Sequence, residues 1–277
     1  MKPKRPVMRY HGGKWRIAPW VISYFPQHDI YCEPFAGAAS VFMRKPRVHG
    51  EVLNDIDGDV VNVFRVLRDP AAAARLERLV RLTPFAREEF MASYDSGPGP
   101  ADPVERERRT LVRAFMGFGT TSMRESRTGF RARTYKRNQT GPADWASWPD
   151  QIRAFVERLQ GVTIEHMDAV DCIRLHDGPD VLFYVDPPYL EKTRTAGLRS
   201  YRHEMTDDDH ARLLDALLDV QGMVVLSGYP SRMYDEALLG WQRVERDVLA
   251  DGAARRTEVL WISPNVPERQ RTLFEVV

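Results

Sequence analysis

Short apolar runs alternate along the chain with segments whose apolar residues recur at helical spacing. Residues 30–35 predict a buried strand that runs into a turn at 36–39. A helix is expected to start near Ser40 and to stop before Pro46. Residues 52–55 predict a second strand. The helix predicted after that strand has four apolar residues on one face: Val60, Val61, Phe64 and Leu67. This strand–helix–strand–helix order is how a doubly wound α/β sheet begins.

The same alternation resumes in the second half of the chain. Strands are predicted at residues 162–165, 181–185, 223–226 and 257–262. Helices are predicted at 169–175, from a Thr206 cap to Val220, and at 231–239. This order predicts a mostly parallel sheet, and such sheets bind ligands beyond the carboxyl ends of their strands. The turn at 36–39 and residues 186–189 both follow such ends.

The stretch from residue 69 to residue 149 has a different character. Helical segments are predicted at 71–82, 84–94 and 104–118, followed by a polar, glycine- and arginine-rich stretch at 119–138. We therefore predict an α/β fold with two parts. Residues 1–68 and 150–277 form a doubly wound, Rossmann-like sheet domain, and residues 69–149 form a smaller, mainly helical lobe.

The net charge of the 277-residue chain is only +1, but the charge is unevenly distributed. Residues 1–16 carry +6 and residues 124–137 carry +5, so the rest of the chain carries −10. Two concentrated basic segments on an acidic body are typical of a groove that follows nucleic-acid phosphates. A solvated charged surface is the alternative that charge alone leaves open.

Composition argues against several other classes of protein. No run of about 18 or more apolar residues is present, so we do not expect a membrane span. Cys32 and Cys172 form neither a disulfide framework nor a zinc pattern, and no metal-ligand spacing is seen. A reducing, cytoplasmic location fits this cysteine usage.

The tetrapeptide Asp186-Pro187-Pro188-Tyr189 follows the most apolar predicted strand. Its two prolines stop strand pairing and stiffen the turn, so a carboxylate and an aromatic ring are presented with little freedom. A carboxylate and a backbone carbonyl that accept both N–H bonds of an exocyclic amino group favour its nucleophilic geometry. A simple proline turn with Asp186 as a helix cap is the alternative.

A second motif is suited to a nucleoside cofactor. Residues 33–40 follow a strand and contain small residues, which allow a backbone to approach a ligand closely. Asp55 closes the next strand, where a carboxylate can bond ribose hydroxyls. The alternative is that Asp55 caps the helix that begins near Asp57. The loop at residues 10–14 lacks the spacing of a triphosphate-binding loop.

Together these motifs resemble the Dam-type, or D12-class, DNA adenine methyltransferases over nearly the whole chain, from Tyr10 to Asn265. The order of elements is the family's: cofactor motif, recognition lobe, catalytic motif. The resemblance implies that residues 69–149 recognise DNA. It also implies a direct, single-displacement methyl transfer to the N6 amino group of adenine, without a metal. The catalytic residues would be Asp186, Pro187, Pro188 and Tyr189.

The cofactor implied by the resemblance is S-adenosylmethionine. The residues that match the family's cofactor-binding motifs are Tyr10, Gly13, Lys14, Phe35, Ala36, Gly37, Ala38, Asp55, Asp168 and Asp186. Among them, Asp55 would contact the ribose and Asp168 the adenine ring of the cofactor. Ala39 stands where the family usually has its second glycine, so the turn is expected to differ slightly in shape.

The implied partner is double-stranded DNA, bound by a chain that is a monomer or a weak dimer. The residues expected to meet DNA are Arg124, Arg127, Arg131, Arg133, Lys136, Arg137 and Tyr201. Tyr189, aided by Tyr201, would stack on an adenine flipped out of the duplex. Three alternatives stay open: methylation of cytosine N4, methylation of RNA, and an inactive DNA-binding protein. The target sequence and a companion restriction enzyme also stay open.

Overall fold

The computed structural model describes residues 1–94, 101–119, 128–132, 140–193, 201–249 and 255–265. These residues contain one seven-stranded sheet. Its strands are β1 (Ile30–Glu33), β2 (Gly50–Asn54), β3 (Thr163–Glu165), β4 (Val181–Val185), β5 (Met223–Gly228), β6 (Gln242–Leu249) and β7 (Arg255–Ile262). Their order across the sheet is β3-β2-β1-β4-β5-β7-β6.

The sheet is mostly parallel, as the sequence predicts. Strands β1 to β5 pair in parallel, whereas β7 lies antiparallel between β5 and β6. The chain moves outward in one direction from β1 and in the other from β4, and these two strands are neighbours. Their carboxyl ends therefore form the topological switch point, where open α/β sheets bind ligands. The predicted α/β, Rossmann-like fold is confirmed.

Helices cover both faces of this sheet. They are α1 (Ala18–Ile22), α2 (Gly58–Arg68), α3 (Pro70–Leu82), α4 (Arg87–Ala92), α5 (Pro103–Met116), α6 (Gly141–Ser147), α7 (Ile152–Leu159), α8 (Ala169–His176), α9 (Asp207–Asp219) and α10 (Arg232–Ala237). Single 3₁₀ turns lie at Pro149–Gln151 and Glu191–Thr193. The predicted helices of the sheet domain are found at α2, α8, α9 and α10, close to the expected bounds.

One predicted helix is absent. Residues 40–45 form turns, in which the N–H groups of Met43 and Lys45 bond the carbonyls of Ala39 and Val41. Ala39 precedes the segment with a left-handed backbone, φ +48°. Pro46 follows it and disfavours helical geometry at the residue before it. The prediction was wrong because the residues at both ends of the stretch depart from helical geometry, so that turns form between them in place of a helix.

The helices between residues 70 and 147 pack on the sheet domain through a shared hydrophobic core. Leu76 of α3, Phe115 of α5 and Trp145 of α6 belong to the same buried cluster as Tyr31 of β1. A second cluster, formed largely by β4, β5, α8 and α9, covers the other face. The division into a sheet domain and a lobe at 69–149 stays a prediction.

Candidate active site

A cavity of about 690 Å³ opens beyond the carboxyl ends of β1, β2 and β4, at the switch point of the sheet. The sequence-predicted site residues that line it are Tyr10, Gly13, Lys14, Phe35, Ala36, Gly37, Ala38, Asp55, Asp168, Asp186, Pro188 and Tyr201. The structure thus places the turn after β1 and the corner after β4 at one cavity. Pro187 and Tyr189 are buried and lie outside its lining.

The turn after β1 is tied to the end of β2 by a carboxylate. Gly37 has a left-handed backbone, φ +48°, and its N–H donates to Oδ2 of Asp55 at 2.9 Å. A side chain at Gly37 would lie 2.9 Å from the ring of Tyr10, so the close approach requires glycine. Asp55 is not the cap of α2: the side chain of Asp57 caps that helix, and Asp55 Oδ1 accepts the N–H of Asp57 at 2.9 Å.

Asp55 and Asp168 differ in their electrostatics. Burial raises the pKa of Asp55 to about 6, although N–H donors from Asp57 and Gly37 oppose the rise. Asp168 caps α8 and is held by both terminal nitrogens of Arg212, at 3.1 and 2.7 Å. Partial burial raises the pKa of Asp168, but the bonds from Arg212 and the Val170 N–H outweigh it and lower the pKa below its ordinary value.

Asp186 is held at one of its two carboxylate oxygens. Oδ1 accepts a bond from Nζ of Lys14 at 2.9 Å, and the hydroxyl of Ser227 lies 3.2 Å from the same oxygen. Lys14 also donates to the carbonyl of Gly12 at 2.9 Å. Burial lowers the pKa of Lys14, but the carboxylates of Asp186 and Glu258 outweigh it and raise the pKa above its ordinary value. The lysine therefore stays charged.

Tyr189 is fixed beneath this ion pair. Its hydroxyl donates to Glu258 and lies 3.2 Å from the hydroxyl of Ser227. The ammonium of Lys14 lies 4.7 Å from the centroid of its ring, and the ring of Tyr229 meets it edge-on at 4.5 Å. Among the described residues, one face of the ring is thus covered by a cation.

Ser227 and Glu258 are site residues that the sequence did not reveal. They come from β5 and β7, which are adjacent in the sheet, and both are buried. Glu258 offers one signal in retrospect, because it is a carboxylate at the start of an otherwise apolar run, residues 259–262. The order of strands that places Glu258 beneath Asp186 cannot be predicted from any local sequence pattern.

Arg202 is a third residue that the sequence did not reveal. It lines the cavity, and its NH1 lies 2.9 Å from both Asp57 Oδ1 and Asp59 Oδ2. These bonds hold residues 201–206 against the start of α2. The ring of Tyr201 is thereby placed 6.2 Å from that of Tyr10, on the cavity wall.

Most of the residues predicted to contact DNA lie outside the described part of the chain: Arg124, Arg127, Arg133, Lys136 and Arg137. Arg131 is described, lies outside the cavity lining and approaches Asp144 at 3.4 Å. Arg5, in the basic N-terminal segment, also pairs with Asp144, at 2.6 Å. Part of the positive charge at the N-terminus therefore serves an internal contact.

Within the described residues, no three histidine, cysteine, aspartate or glutamate side chains are grouped as metal ligands. Cys32 and Cys172 are buried free thiols whose sulfur atoms lie 3.9 Å apart. No helix in the described part is long and apolar enough to cross a membrane.

The fold and the site together define an α/β protein that handles a nucleoside-containing cofactor beside an Asp-Pro-Pro-Tyr corner. Residues 10–243 match the family model of the D12 class N6 adenine-specific DNA methyltransferases. The chain belongs to this family. The family resemblance noted from the motifs is confirmed.

Individual relatives agree with this assignment. The chain is 24% identical to a DNA adenine methylase of Escherichia coli K12 over 275 positions, covering 92% of this chain and 93% of the relative. It is 25% identical to a DNA adenine methylase of Vibrio cholerae, covering 92% and 94%. A precorrin 8w decarboxylase structure from Methanobacterium thermoautotrophicum aligns with 10% identity and a TM-score of 0.34, covering 90% of this chain and 89% of that one.

Enzymes of this family methylate adenine in DNA with S-adenosylmethionine as the methyl donor. The residues of the cavity fit such a cofactor. The volume of the cavity lies within the range of about 300–1,000 Å³ that is typical of small-molecule sites. Ser40, 5% exposed, also lines it, and its hydroxyl has no hydrogen-bond partner among the described residues. Buried hydroxyls are normally bonded, so a ligand would satisfy it.

Proposed function

We propose that the cavity binds S-adenosylmethionine and that Asp186 accepts a hydrogen bond from N6 of an adenine flipped out of duplex DNA. The chemistry is methylation of that nitrogen at a specific DNA sequence. The cofactor supplies an electrophilic methyl group, and the protein supplies binding, orientation and exclusion of water.

The observation that carries the proposal is the asymmetry of the Asp186 carboxylate. Lys14 and Ser227 both lie against Oδ1. No donor within the described part of the chain is bonded to Oδ2. Asp186 lines the cavity. An anchored carboxylate with one remaining acceptor atom is suited to receive an amino group in a fixed orientation.

The lone pair of an exocyclic amino group is delocalised into the base, which makes the nitrogen a poor nucleophile. Hydrogen bonds from its two N–H groups to Asp186 Oδ2 and to the carbonyl of Pro187 would favour a more pyramidal nitrogen. The transfer is a single displacement at N6, and no residue of the chain is methylated on the way. N6 would gain the methyl group as the methyl–sulfur bond of the cofactor breaks, the cofactor would leave as a neutral thioether, and the proton lost from N6 would pass to solvent.

Different parts of the cavity would hold different parts of the cofactor. Asp55, between the turn after β1 and the start of α2, would accept bonds from the ribose hydroxyls. Asp168, at the start of α8, would meet the adenine ring of the cofactor. The small residues Ala36 to Ala38 would allow the backbone to approach the cofactor closely.

The DNA-binding roles are proposed from the sequence. Stacking on the flipped adenine is assigned to Tyr189, aided by Tyr201. Lys14 covers one face of the Tyr189 ring, so that face is closed to the base. The basic residues between 124 and 137 would meet phosphates and base edges. A monomer or weak dimer acting in the cytoplasm, where DNA is available, completes the proposal.

Asp186→Asn tests the central assignment. The change removes the charge and one acceptor site, so we expect methyl transfer to fall by about 10³-fold or more, as for loss of a key transition-state group. Labelled S-adenosylmethionine and DNA from a methylation-free host provide the assay, with nucleoside analysis of the product. Asp180→Asn, at the exposed amino end of β4, is the matched control and should keep its activity.

Three outcomes would contradict the proposal. One is Asp186→Asn retaining turnover near that of the unaltered chain. Another is N4-methylcytosine, rather than N6-methyladenine, in the product. The third is transfer to RNA but not to DNA. Thermal unfolding of the variant verifies that it is folded, since the change removes the charge of one partner in the Lys14 ion pair.

A further inference from the structure

A second carboxylate lies beneath the catalytic corner. Glu258, at the fourth position of β7, is 3% exposed. Its Oε1 accepts the hydroxyl of Tyr189, lies 2.9 Å from the hydroxyl of Ser227 and 3.6 Å from Nζ of Lys14. Among the described residues, these are the polar partners of its carboxylate. Lys14 and Ser227 also contact Asp186.

This placement is costly to the fold. One ammonium, that of Lys14, lies between two carboxylates, which leaves a net negative charge in a buried site. Burying an incompletely neutralised carboxylate destabilises a fold. Burial raises the pKa of Glu258, Lys14 lowers it and Asp186 raises it further, so the net shift is upward.

Sheet pairing does not account for this residue. Residues 259–262 of β7 pair with β5 through backbone bonds, as in Val259 with Gly228, and Glu258 lies opposite Arg246 in the antiparallel pairing with β6. An apolar or neutral side chain at position 258 would keep those bonds without a buried charge. The carboxylate therefore has another use.

The hydroxyl of Ser227 links the two acids. It has a single proton and three possible acceptors: Asp186 Oδ1 at 3.2 Å, Glu258 Oε1 at 2.9 Å and the hydroxyl oxygen of Tyr189 at 3.2 Å. Tyr189 has one proton and gives it to Glu258. When Ser227 donates to Glu258, Lys14 is the donor that remains on Oδ1 of Asp186. When Ser227 donates to Asp186, that oxygen accepts from both side chains.

We infer that Glu258 is a positioning residue for methyl transfer, acting on Asp186 through Ser227 and on the ring of Tyr189 through its hydroxyl. The inference rests on the proposed function of Asp186. Glu258 itself touches neither base nor cofactor in this scheme. It sets the orientation of the two groups that do, and so it governs the rate of transfer rather than the affinity for either ligand.

Glu258→Gln and Ser227→Ala, singly and combined, test the inference. The amide keeps the size of the side chain but removes its charge, and the alanine removes the link. We expect each single change to slow methyl transfer in a single turnover by roughly 10-fold or more. Because both act through one contact, the double variant should be slowed by much less than the product of the two effects.

The dissociation constants for S-adenosylmethionine and for DNA should stay within about threefold in all three variants, since positioning acts after binding. Glu107→Gln, on α5, is the matched control, because Glu107 is also a buried carboxyl and lies outside the cavity lining. Its transfer rate should equal that of the unaltered chain. Thermal unfolding of every variant verifies that it is folded.

The possible outcomes distinguish the proposed function from the inference about Glu258. An unaltered chain that transfers no methyl group to adenine contradicts the proposed function, and with it this inference. An active unaltered chain whose Glu258→Gln variant is equally fast contradicts the inference alone. The inference would also be wrong if the affinity for the cofactor fell by the same factor as the rate. It would be wrong as well if the two single effects multiplied fully in the double variant.

Discussion

At the residue scale, Ala39 has a conformation that favours glycine. Its φ is +48°, in the left-handed region, while its methyl group is fully buried. The family usually has glycine here, and the structure shows that the backbone adopts a left-handed turn with alanine. A left-handed conformation costs a non-glycine residue about 1–2 kcal/mol. The left-handed backbone of Ala39 therefore stores strain that a glycine would not, and the expected difference in turn shape stays a prediction.

We expect Ala39→Gly to change the free energy of unfolding by less than about 1 kcal/mol, because relief of strain offsets the lost methyl burial and the greater chain entropy. Ala38→Gly, next to it, has no such strain to relieve and should cost about 1–2 kcal/mol. Urea unfolding of both variants measures the difference. Equal losses at the two positions would show that Ala39 is not strained.

Glu107 gives a second residue-scale prediction. It is fully buried on α5, and burial, with Asp59 adding to it, raises its pKa from 4.5 to about 8. Between these two pH values the folded chain holds a proton that the unfolded chain releases. Stability conferred by the neutral form is therefore complete below pH 4.5 and is lost as pH rises toward 8.

Glu107→Gln removes this titration. The variant should match the unaltered chain near pH 4.5 and gain on it by at most about 1.4 kcal/mol per pH unit as pH rises. Unfolding free energies measured by urea at several pH values give the comparison. A constant difference across the series would mean that Glu107 ionises normally in the folded chain.

At the scale of elements, the segment 201–206 depends on Arg202 for its place on the cavity wall. Arg202→Ala removes its bonds to Asp57 and Asp59, so we expect S-adenosylmethionine to bind roughly 10-fold more weakly. Arg106→Ala is the matched control. Arg106 also pairs with Asp59, at 2.6 Å, but does not line the cavity. Titration calorimetry distinguishes the variants, and equal losses would assign the effect to Asp59 alone.

The elements themselves were largely predictable. Strands such as β4 are continuous apolar runs, and the Thr206 cap of α9 has a complete capping box with Asp209. Edge strand β6 went unpredicted because half of its residues are charged and its pairing with β7 depends on the strand that follows it. Helix α7 was overlooked although Ile152, Phe155 and Leu159 recur at helical spacing.

The candidate site was predictable only in part. Asp55 and Asp186 are recognisable because each belongs to a short motif that follows the end of a strand. Ser227, Glu258 and Arg202 reach the site from elements distant in sequence, so only the order of strands and the packing of residues 201–206 bring them there. Conversely, the sequence did not show that Tyr189 would be buried beneath Lys14.

At the scale of the whole molecule, charge distribution predicts how DNA affinity responds to salt. The segment at 124–137 carries +5 although the chain as a whole carries +1. We expect the logarithm of the DNA association constant to fall linearly with the logarithm of salt concentration. Each phosphate contact removed should lower that slope by about 0.9.

A variant with Arg133→Ala and Lys136→Ala should therefore bind DNA more weakly and with a shallower salt dependence. A control with Arg153→Ala and Arg232→Ala changes the net charge equally at exposed positions outside the two basic segments. Fluorescence anisotropy at several salt concentrations gives both slopes. The same slope in the two variants would indicate a general charge effect and no phosphate contact at 133 and 136.

The insertion of β7 between β5 and β6 has a consequence for the timing of assembly. The last strand of the sheet to leave the ribosome fills the gap between two strands made earlier, and it brings the acid beneath the catalytic corner. A nascent chain that ends before residue 255 already has the match to the family model, which stops at residue 243. Such a chain still lacks the strand that carries Glu258, so the contacts of that carboxylate with Tyr189 and Ser227 form only after residues 255–262 have been made.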